Sequence, residues 1–247
     1  MLIKGLQKLT LLDYAGQVAC TVFTGGCNFR CPYCHNASLV LPELMGETIQ
    51  TEEFYAFLDS RKNLLTAVCV SGGEPTLQPD IKNFLSEIKA RGFLVKLDTN
   101  GTRPAVLREL IDAGLIDYVA MDIKNSPDRY VETVVLNSEY GKVYENASSG
   151  KKTFSGFSLA DIEESVKILM EGRVEYEFRT TLVKELHTIE NITAIGRWLK
   201  GSSLYYLQSY RPGEGQIIGG FTPFTDSETE QLLSELRKYV PNAQKRG

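Results

Sequence analysis

Apolar residues come in short dense runs along this chain, separated by amphipathic stretches. Val18 to Thr24 is β-branched and apolar and is broken at once by Gly25-Gly26, which predicts a buried strand that delivers Cys27 at its C-terminal end. Similar runs recur at Thr66–Val70, Phe93–Leu97, Tyr118–Ile123 and Leu204–Leu207, and Arg173–Leu182 is expected as a further strand. Between them Thr51-Glu52-Glu53 should cap and acidify a helix reaching about Arg61. Pro79-Asp80 opens another to about Arg91, with Ile81, Phe84, Leu85 and Ile88 on one face, and Pro104 opens the next. Further helices are expected from about Ser158 to Glu171, up to Trp198-Leu199-Lys200, and from Asp226 to Tyr239. Strand then helix, repeated six times, predicts a parallel sheet with right-handed crossovers. Six units rather than eight predict an α/β fold of the partial, open (β/α)6 barrel kind. No linker divides the chain, so residues 1–247 read as one domain. Residues 131–157, rich in Ser, Asn, Gly, Lys and Tyr, stand apart and read as a mobile or substrate-facing insertion.

Composition narrows the class. With 247 residues, 43% hydrophobic and 23% charged, the chain can bury a substantial core. A net charge of −4 argues against a nucleic-acid partner. Met1-Leu2-Ile3-Lys4 starts no signal peptide and no apolar run reaches membrane-spanning length. Five cysteines, three of them clustered, are not a disulfide framework. The expected setting is the reducing cytoplasm, away from membranes.

The clustered cysteines are Cys27, Cys31 and Cys34, in a C-x-x-x-C-x-x-C array. Thiolates favour zinc, copper(I) and iron–sulfur centres. A closed zinc site asks for four ligands, and His35 directly after Cys34 is badly placed to chelate the same ion. Three thiolates suit a 4Fe–4S cluster with one open iron; zinc with a remote fourth ligand, or unligated thiols, are the alternatives. Cys20 and Cys69, inside strands, read as small core residues.

Other polar motifs also fall at strand ends, where parallel α/β folds place their sites. Gly72-Gly73-Glu74 follows the second strand: glycines admit a ligand close to the backbone, and Glu74 offers acceptors to a cationic amino group. An ordinary turn is the plainer reading. Asp98-Thr99-Asn100-Gly101 ends the third strand and is by itself an ordinary Asn-Gly turn. Asp122 and Lys124, two apart, share a face at the end of the fourth strand and are equally explained by a salt bridge. Arg179 lies among apolar residues of a strand and needs an anion, either a strand-end carboxylate or a ligand. His187, far from these motifs, reads as a surface or capping residue.

The array, with Tyr33 before its last cysteine, resembles the signature of the radical S-adenosylmethionine superfamily. The string Cys27-Asn28-Phe29-Arg30-Cys31-Pro32-Tyr33-Cys34-His35-Asn36 is most similar to activating enzymes of glycyl-radical enzymes. The opening Gly5-Leu6-Gln7-Lys8-Leu9-Thr10-Leu11-Leu12-Asp13-Tyr14 resembles the activating proteins of anaerobic ribonucleoside-triphosphate reductase. The resemblance implies a partial barrel of the radical S-adenosylmethionine type, a 4Fe–4S cluster on Cys27, Cys31 and Cys34, and S-adenosylmethionine as cofactor. It assigns cofactor contacts to Tyr33, Cys34, His35 (through its backbone), Gly72, Gly73, Glu74, Asp98, Thr99, Asn100, Asp122, Lys124, Arg179 and Arg211; at Arg211 some relatives carry a histidine instead. It further implies a monovalent cation held by Asp98, Thr99, Asp122 and the Ala120 carbonyl, since two carboxylates without a partner charge repel. No side chain is expected to act as a catalytic acid or base, because the cofactors carry the chemistry. The implied partners are a glycyl-radical enzyme, closest to anaerobic ribonucleotide reductase, and a flavodoxin- or ferredoxin-type electron donor. An activating enzyme for pyruvate formate-lyase or a similar target, and a radical enzyme acting on a small molecule, are the rival readings. A module that merely carries zinc or electrons is a third.

Overall fold

In the computed structural model, residues 1–135 and 157–247 are described in full, and 143–145 and 152–154 as backbone. The chain opens with strand β1 (Ile3–Thr10), then β2 (Ala19–Thr24), the short helix α1 (Ala37–Val40) and α2 (Thr51–Ser60). Strand β3 (Ala67–Gly72), α3 (Ile81–Ala90), β4 (Leu94–Thr99), α4 (Pro104–Asp112), β5 (Tyr118–Asp122) and α5 (Tyr130–Val134) follow. Three short strands, β6 (Val143–Glu145), β7 (Lys152–Phe154) and β8 (Phe157–Ser158), form a small antiparallel sheet. The chain then runs through α6 (Leu159–Met170), β9 (Glu175–Leu182), α7 (Ile189–Trp198), β10 (Tyr205–Ser209), α8 (Asp226–Arg237) and β11 (Ala243–Arg246).

The main sheet has the order β1-β2-β3-β4-β5-β9-β10-β11. From β2 to β11 neighbours are parallel, and β1 joins β2 antiparallel at one edge. The expected six parallel strands are therefore present, and β1 and β11 are pairings that the sequence pattern missed. No pairing joins β1 to β11 among the described residues, so the barrel is open.

Alternation of side chains puts Val22, Val70, Leu97, Met121, Phe178 and Leu207 on the outer face, in one large apolar core. Ile81, Phe84, Leu85 and Ile88 of α3 enter that core as their spacing predicts. The inner face is small or polar: Ala19, Ala67 and Cys69 beside Lys96, Asp98, Glu177 and Arg179. At roughly 25 cal/mol per Å² the apolar outer face supplies the folding drive, which leaves the inner face able to carry charge.

Two local expectations need correction, and a third lies partly outside the described residues. Thr51 is the first helical residue of α2 and caps nothing; Gln50 holds the cap position without a side-chain bond. Strands β3 and β4 run on to Gly72 and Thr99, so Ser71, Asp98 and Thr99 lie within the sheet and take its alternation. The expected insertion at 131–157 contributes the end of α5, Val135 and the three short strands; 136–142, 146–151 and 155–156 lie outside the described residues.

Candidate active site

Thr24 ends β2, and the cysteine loop that follows is tied down on several sides. Gly26 N–H donates to Leu39 O at 2.7 Å, Cys34 N–H to Cys31 O at 3.0 Å, and Arg30 N–H to Val134 O at 2.9 Å. The Arg30 guanidinium donates back to Cys27 O and Phe29 O at 2.6 and 2.8 Å. Ile217 and Ile218 N–H groups donate to Cys34 O and Pro32 O at 3.2 and 2.8 Å, closing the segment before α8 over the loop. Phe29 packs edge-on against Phe157, 4.7 Å between ring centres.

The three cysteines line one cleft of 320 Å³ at the C-terminal ends of the strands. Burial pushes the Cys27 thiol up to about 12 and raises Cys31 and Cys34 as well. The Tyr33 hydroxyl, beside them, is buried without a hydrogen-bond partner among the described residues.

Gly72-Gly73 forms the opposite lip. Gly73 N–H donates to Thr24 O and Glu74 N–H to Gly26 O, both at 2.8 Å. A Cβ at Gly73 would lie 2.0 Å from Gly26 O, and one at Gly72 (φ 113°) 2.5 Å from Thr24 backbone atoms. The glycines thus let the cysteine loop's own backbone approach, a nearer neighbour than the ligand expected there.

Glu74 sits deeper than the glycines that precede it. It is fully buried and does not line the cleft. Its Oε1 accepts from Thr76 N–H (3.1 Å), Thr76 Oγ1 (2.5 Å) and Thr99 Oγ1 (2.8 Å), and its Oε2 from Asn100 N–H at 2.6 Å. Burial raises its pKa against these donors. The carboxylate is a brace between two strand-end turns, accepting from both of them.

Across the cleft the carboxylates have partner charges. Sheet register sets Asp122 beside Arg179, and Arg179 Nε donates to Asp122 at 2.5 Å while its Nη2 reaches Asp98 at 3.2 Å. Lys96 Nζ bonds Asp98 at 2.9 Å and Lys124 Nζ bonds Asp122 at 2.8 Å. Burial opposes ionisation of both acids, but Arg179, with Lys96 or Lys124, outweighs it and holds each below the usual carboxylate range. Arg179 and Lys124 are raised in turn, their acidic neighbours outweighing burial. The premise for a monovalent cation, two unpartnered carboxylates, therefore fails: protein cations stand between them. Ala120 is mid-strand in β5 and does not line the cleft.

The cleft gathers Tyr33, Cys34, His35, Gly72, Gly73, Asp98, Thr99, Asn100, Asp122, Lys124 and Arg179 with Cys27 and Cys31. Glu74 and Arg211 stay outside it; Arg211 is exposed on the segment after β10. Ser71, Thr181 and Gln208 also line it and were missed. Thr181, two residues after Arg179 and paired with Gln208 in register, was open to discovery by strand alternation alone. His187 is buried, contrary to the surface expectation, and its Nε2 lies 2.9 Å from Lys124 O.

A fold of this class, with its polar groups gathered at the strand ends, has clear relatives. The Radical SAM superfamily model matches residues 21–183, and the chain belongs to that superfamily of enzymes. It is 33% identical to a candidate glycyl-radical enzyme activating enzyme of Methanocaldococcus jannaschii, over 98% of this chain and 94% of that one. It is 24% identical to the pyruvate formate-lyase-activating enzyme of Clostridium pasteurianum, over 82% of this chain and 84% of that one. SuiB of Streptococcus suis, solved with S-adenosylmethionine, shares the fold with a TM-score of 0.66 at 14% identity; the match covers 91% of this chain and 49% of SuiB. The family implies a 4Fe–4S cluster and S-adenosylmethionine. Among the described residues no helix is long and apolar enough to cross a membrane.

Proposed function

We propose that this chain is an activating enzyme that places a radical on a glycine of a partner enzyme, the partner being an anaerobic ribonucleoside-triphosphate reductase. The observation that carries the reading is the meeting of three cysteine thiols, a glycine lip and an Asp–Arg–Asp–Lys array in one cleft. Similarity to activating enzymes over nearly the whole length supports the reaction. The opening Gly5–Tyr14 string supports the choice of reductase.

The donor set fits the cluster. A cubane takes each thiolate on a different iron and so suits thiols spread around a cleft. Cys27, Cys31 and Cys34 would hold it, each giving up the thiol proton that burial now retains. When bound, the cluster and S-adenosylmethionine supply reductive cleavage of a sulfur–carbon bond and hydrogen-atom abstraction.

The chain's own residues bind and orient. Gly72 and Gly73 offer backbone to the methionine amino group, a role moved here from the buried Glu74 side chain. Arg179 and Lys124 face the methionine carboxylate, while Asp98 and Asp122 fix those two cations in place. Tyr33, His35, Thr99 and Asn100 complete the wall. Residues 1–247 act as one radical S-adenosylmethionine domain, fed by a flavodoxin- or ferredoxin-type donor.

The test is anaerobic electron paramagnetic resonance. Reduced, cluster-loaded protein with S-adenosylmethionine should give a stable glycine-centred radical on an anaerobic ribonucleoside-triphosphate reductase from the same source, absent when that reductase's candidate glycine is changed to alanine. Robust cofactor cleavage without that radical would reject the partner and leave the superfamily assignment standing.

A further inference from the structure

Asn100 is 5% exposed at the point where β4 meets the cysteine loop. Its amide nitrogen has two protons: one goes to Asn28 Oδ1 at 2.9 Å, and the other faces Cys27 Sγ at 3.8 Å, within range of a hydrogen bond to sulfur. Chemistry fixes which way the amide points. The Thr102 backbone N–H can only donate, and it meets Asn100 at 3.0 Å, so the atom there is Oδ1 and the nitrogen faces the sulfur. Thr102 Oγ1 donates to the same oxygen at 2.7 Å and accepts from Asn28 Nδ2 at 2.9 Å. The three side chains close a ring in which none rotates alone. Below it, Asn100 N–H is anchored on Glu74. Phe29 N–H gives the same sulfur a second donor at 3.3 Å.

A turn-forming role accounts for only half of this residue. The bond from Thr102 N–H uses the side-chain oxygen, and an aspartate would make it equally well. Only asparagine adds a donor aimed at Cys27. We propose that Asn100 is a positioning residue that raises the reduction potential of the cluster through its N–H···Sγ bond to Cys27. The inference rests on the cluster reading given above. Reduction adds an electron whose charge is shared with the thiolate sulfurs, so a donor there stabilises the reduced state more than the oxidised one. Because the ring holds the amide in place beforehand, no reorganisation offsets the gain.

The experiment is a dye-equilibrated redox titration of the anaerobically reconstituted protein without S-adenosylmethionine, read by optical and paramagnetic resonance spectra. Asn100→Leu and Asn100→Asp should each lower the reduced-to-oxidised ratio at a fixed potential roughly tenfold, which for one electron is about 59 mV. Thr102→Val keeps the amide but releases its lock, and should give a smaller shift of the same sign; it serves as the measurement should the Asn100 variants fail to load. An unchanged potential in loaded Asn100→Leu, or in Thr102→Val should it alone load, overturns the proposal. Failure of the parent protein to take up a 4Fe–4S cluster is a separate result and would overturn the cluster reading instead.

Discussion

A buried imidazole holds the end of β5 against β9. The Val183 backbone N–H donates to His187 Nδ1 at 3.1 Å, so the ring proton is on Nε2, which donates to Lys124 O at 2.9 Å. Burial lowers the His187 pKa from 6.5. Between the lowered folded value and 6.5 the unfolded chain binds a proton that the folded chain refuses. Its contribution to stability is therefore complete above that pH and lost as pH falls through the window, with a limiting slope of about 1.4 kcal/mol per pH unit. Denaturant unfolding of the cluster-free protein, followed from above pH 7 to below pH 6, should show this loss, and His187→Gln should flatten most of it. An equal slope in the variant would remove His187 from the account. At the cysteines, Cys27→Ser, Cys31→Ser or Cys34→Ser should abolish most iron uptake in reconstitution, whereas Cys69→Ser, on the barrel's inner wall, should retain it. Retention of full iron in any of the first three would count against that ligand. Residue types at the site were legible from spacing, but their partners were not. Glu74 and His187 changed meaning because Thr99, Asn100 and the Lys124 carbonyl, distant in sequence, take up their polar atoms.

The turn after β3 works by contact with the turn after β2. Two backbone bonds, Gly73 N–H to Thr24 O and Glu74 N–H to Gly26 O, join the lips of the cleft. A methyl group at Gly73 would overlap Gly26 O at 2.0 Å, and backbone oxygen has no rotamer by which to withdraw. Gly73→Ala should thus cost about 1–3 kcal/mol in overpacking and displace the start of the cysteine loop. Thermal unfolding and iron uptake should fall together; a variant that keeps both would show that the lips are not packed this way. Dense apolar runs such as β2 and β3 were readable along the chain, because both faces of those strands are buried and carry no charge. Edge strands carry a weaker signal. In β1 three consecutive positions, Gln7, Lys8 and Leu9, are exposed, and β11 reads Ala-Gln-Lys-Arg, with no β-branched residue to mark it. Their pairing is decided by neighbours rather than by their own composition.

At the scale of the molecule the open barrel keeps a charged interior, and one ion pair fastens its last strand. Arg246 of β11 meets Glu177 of β9 across β10 through two bonds, of 2.6 and 3.0 Å. Glu177 is 3% exposed and also accepts from the Tyr118 hydroxyl at 2.9 Å. The Arg246 guanidinium lies 3.5 Å from the Tyr206 ring centre, so the side chain is stacked as well as paired. Pattern reading gave no warning of this: an isolated glutamate inside a strand and an arginine near the last residue say nothing of each other until β10 and β11 pair in register. Removing Arg246 leaves a buried carboxylate without its cation, which costs about 3–5 kcal/mol for a fully buried pair; the guanidinium's partial exposure lowers that to nearer about 2 kcal/mol. Arg246→Met should therefore destabilise the protein and speed amide exchange in 243–246 before the rest of the sheet. Glu177→Gln in the same chain removes the orphaned charge, keeps an acceptor for Tyr118, and should restore most of the loss. Additive costs for the two changes, measured in a double-mutant cycle, would show that the pair does not hold β11 to the barrel.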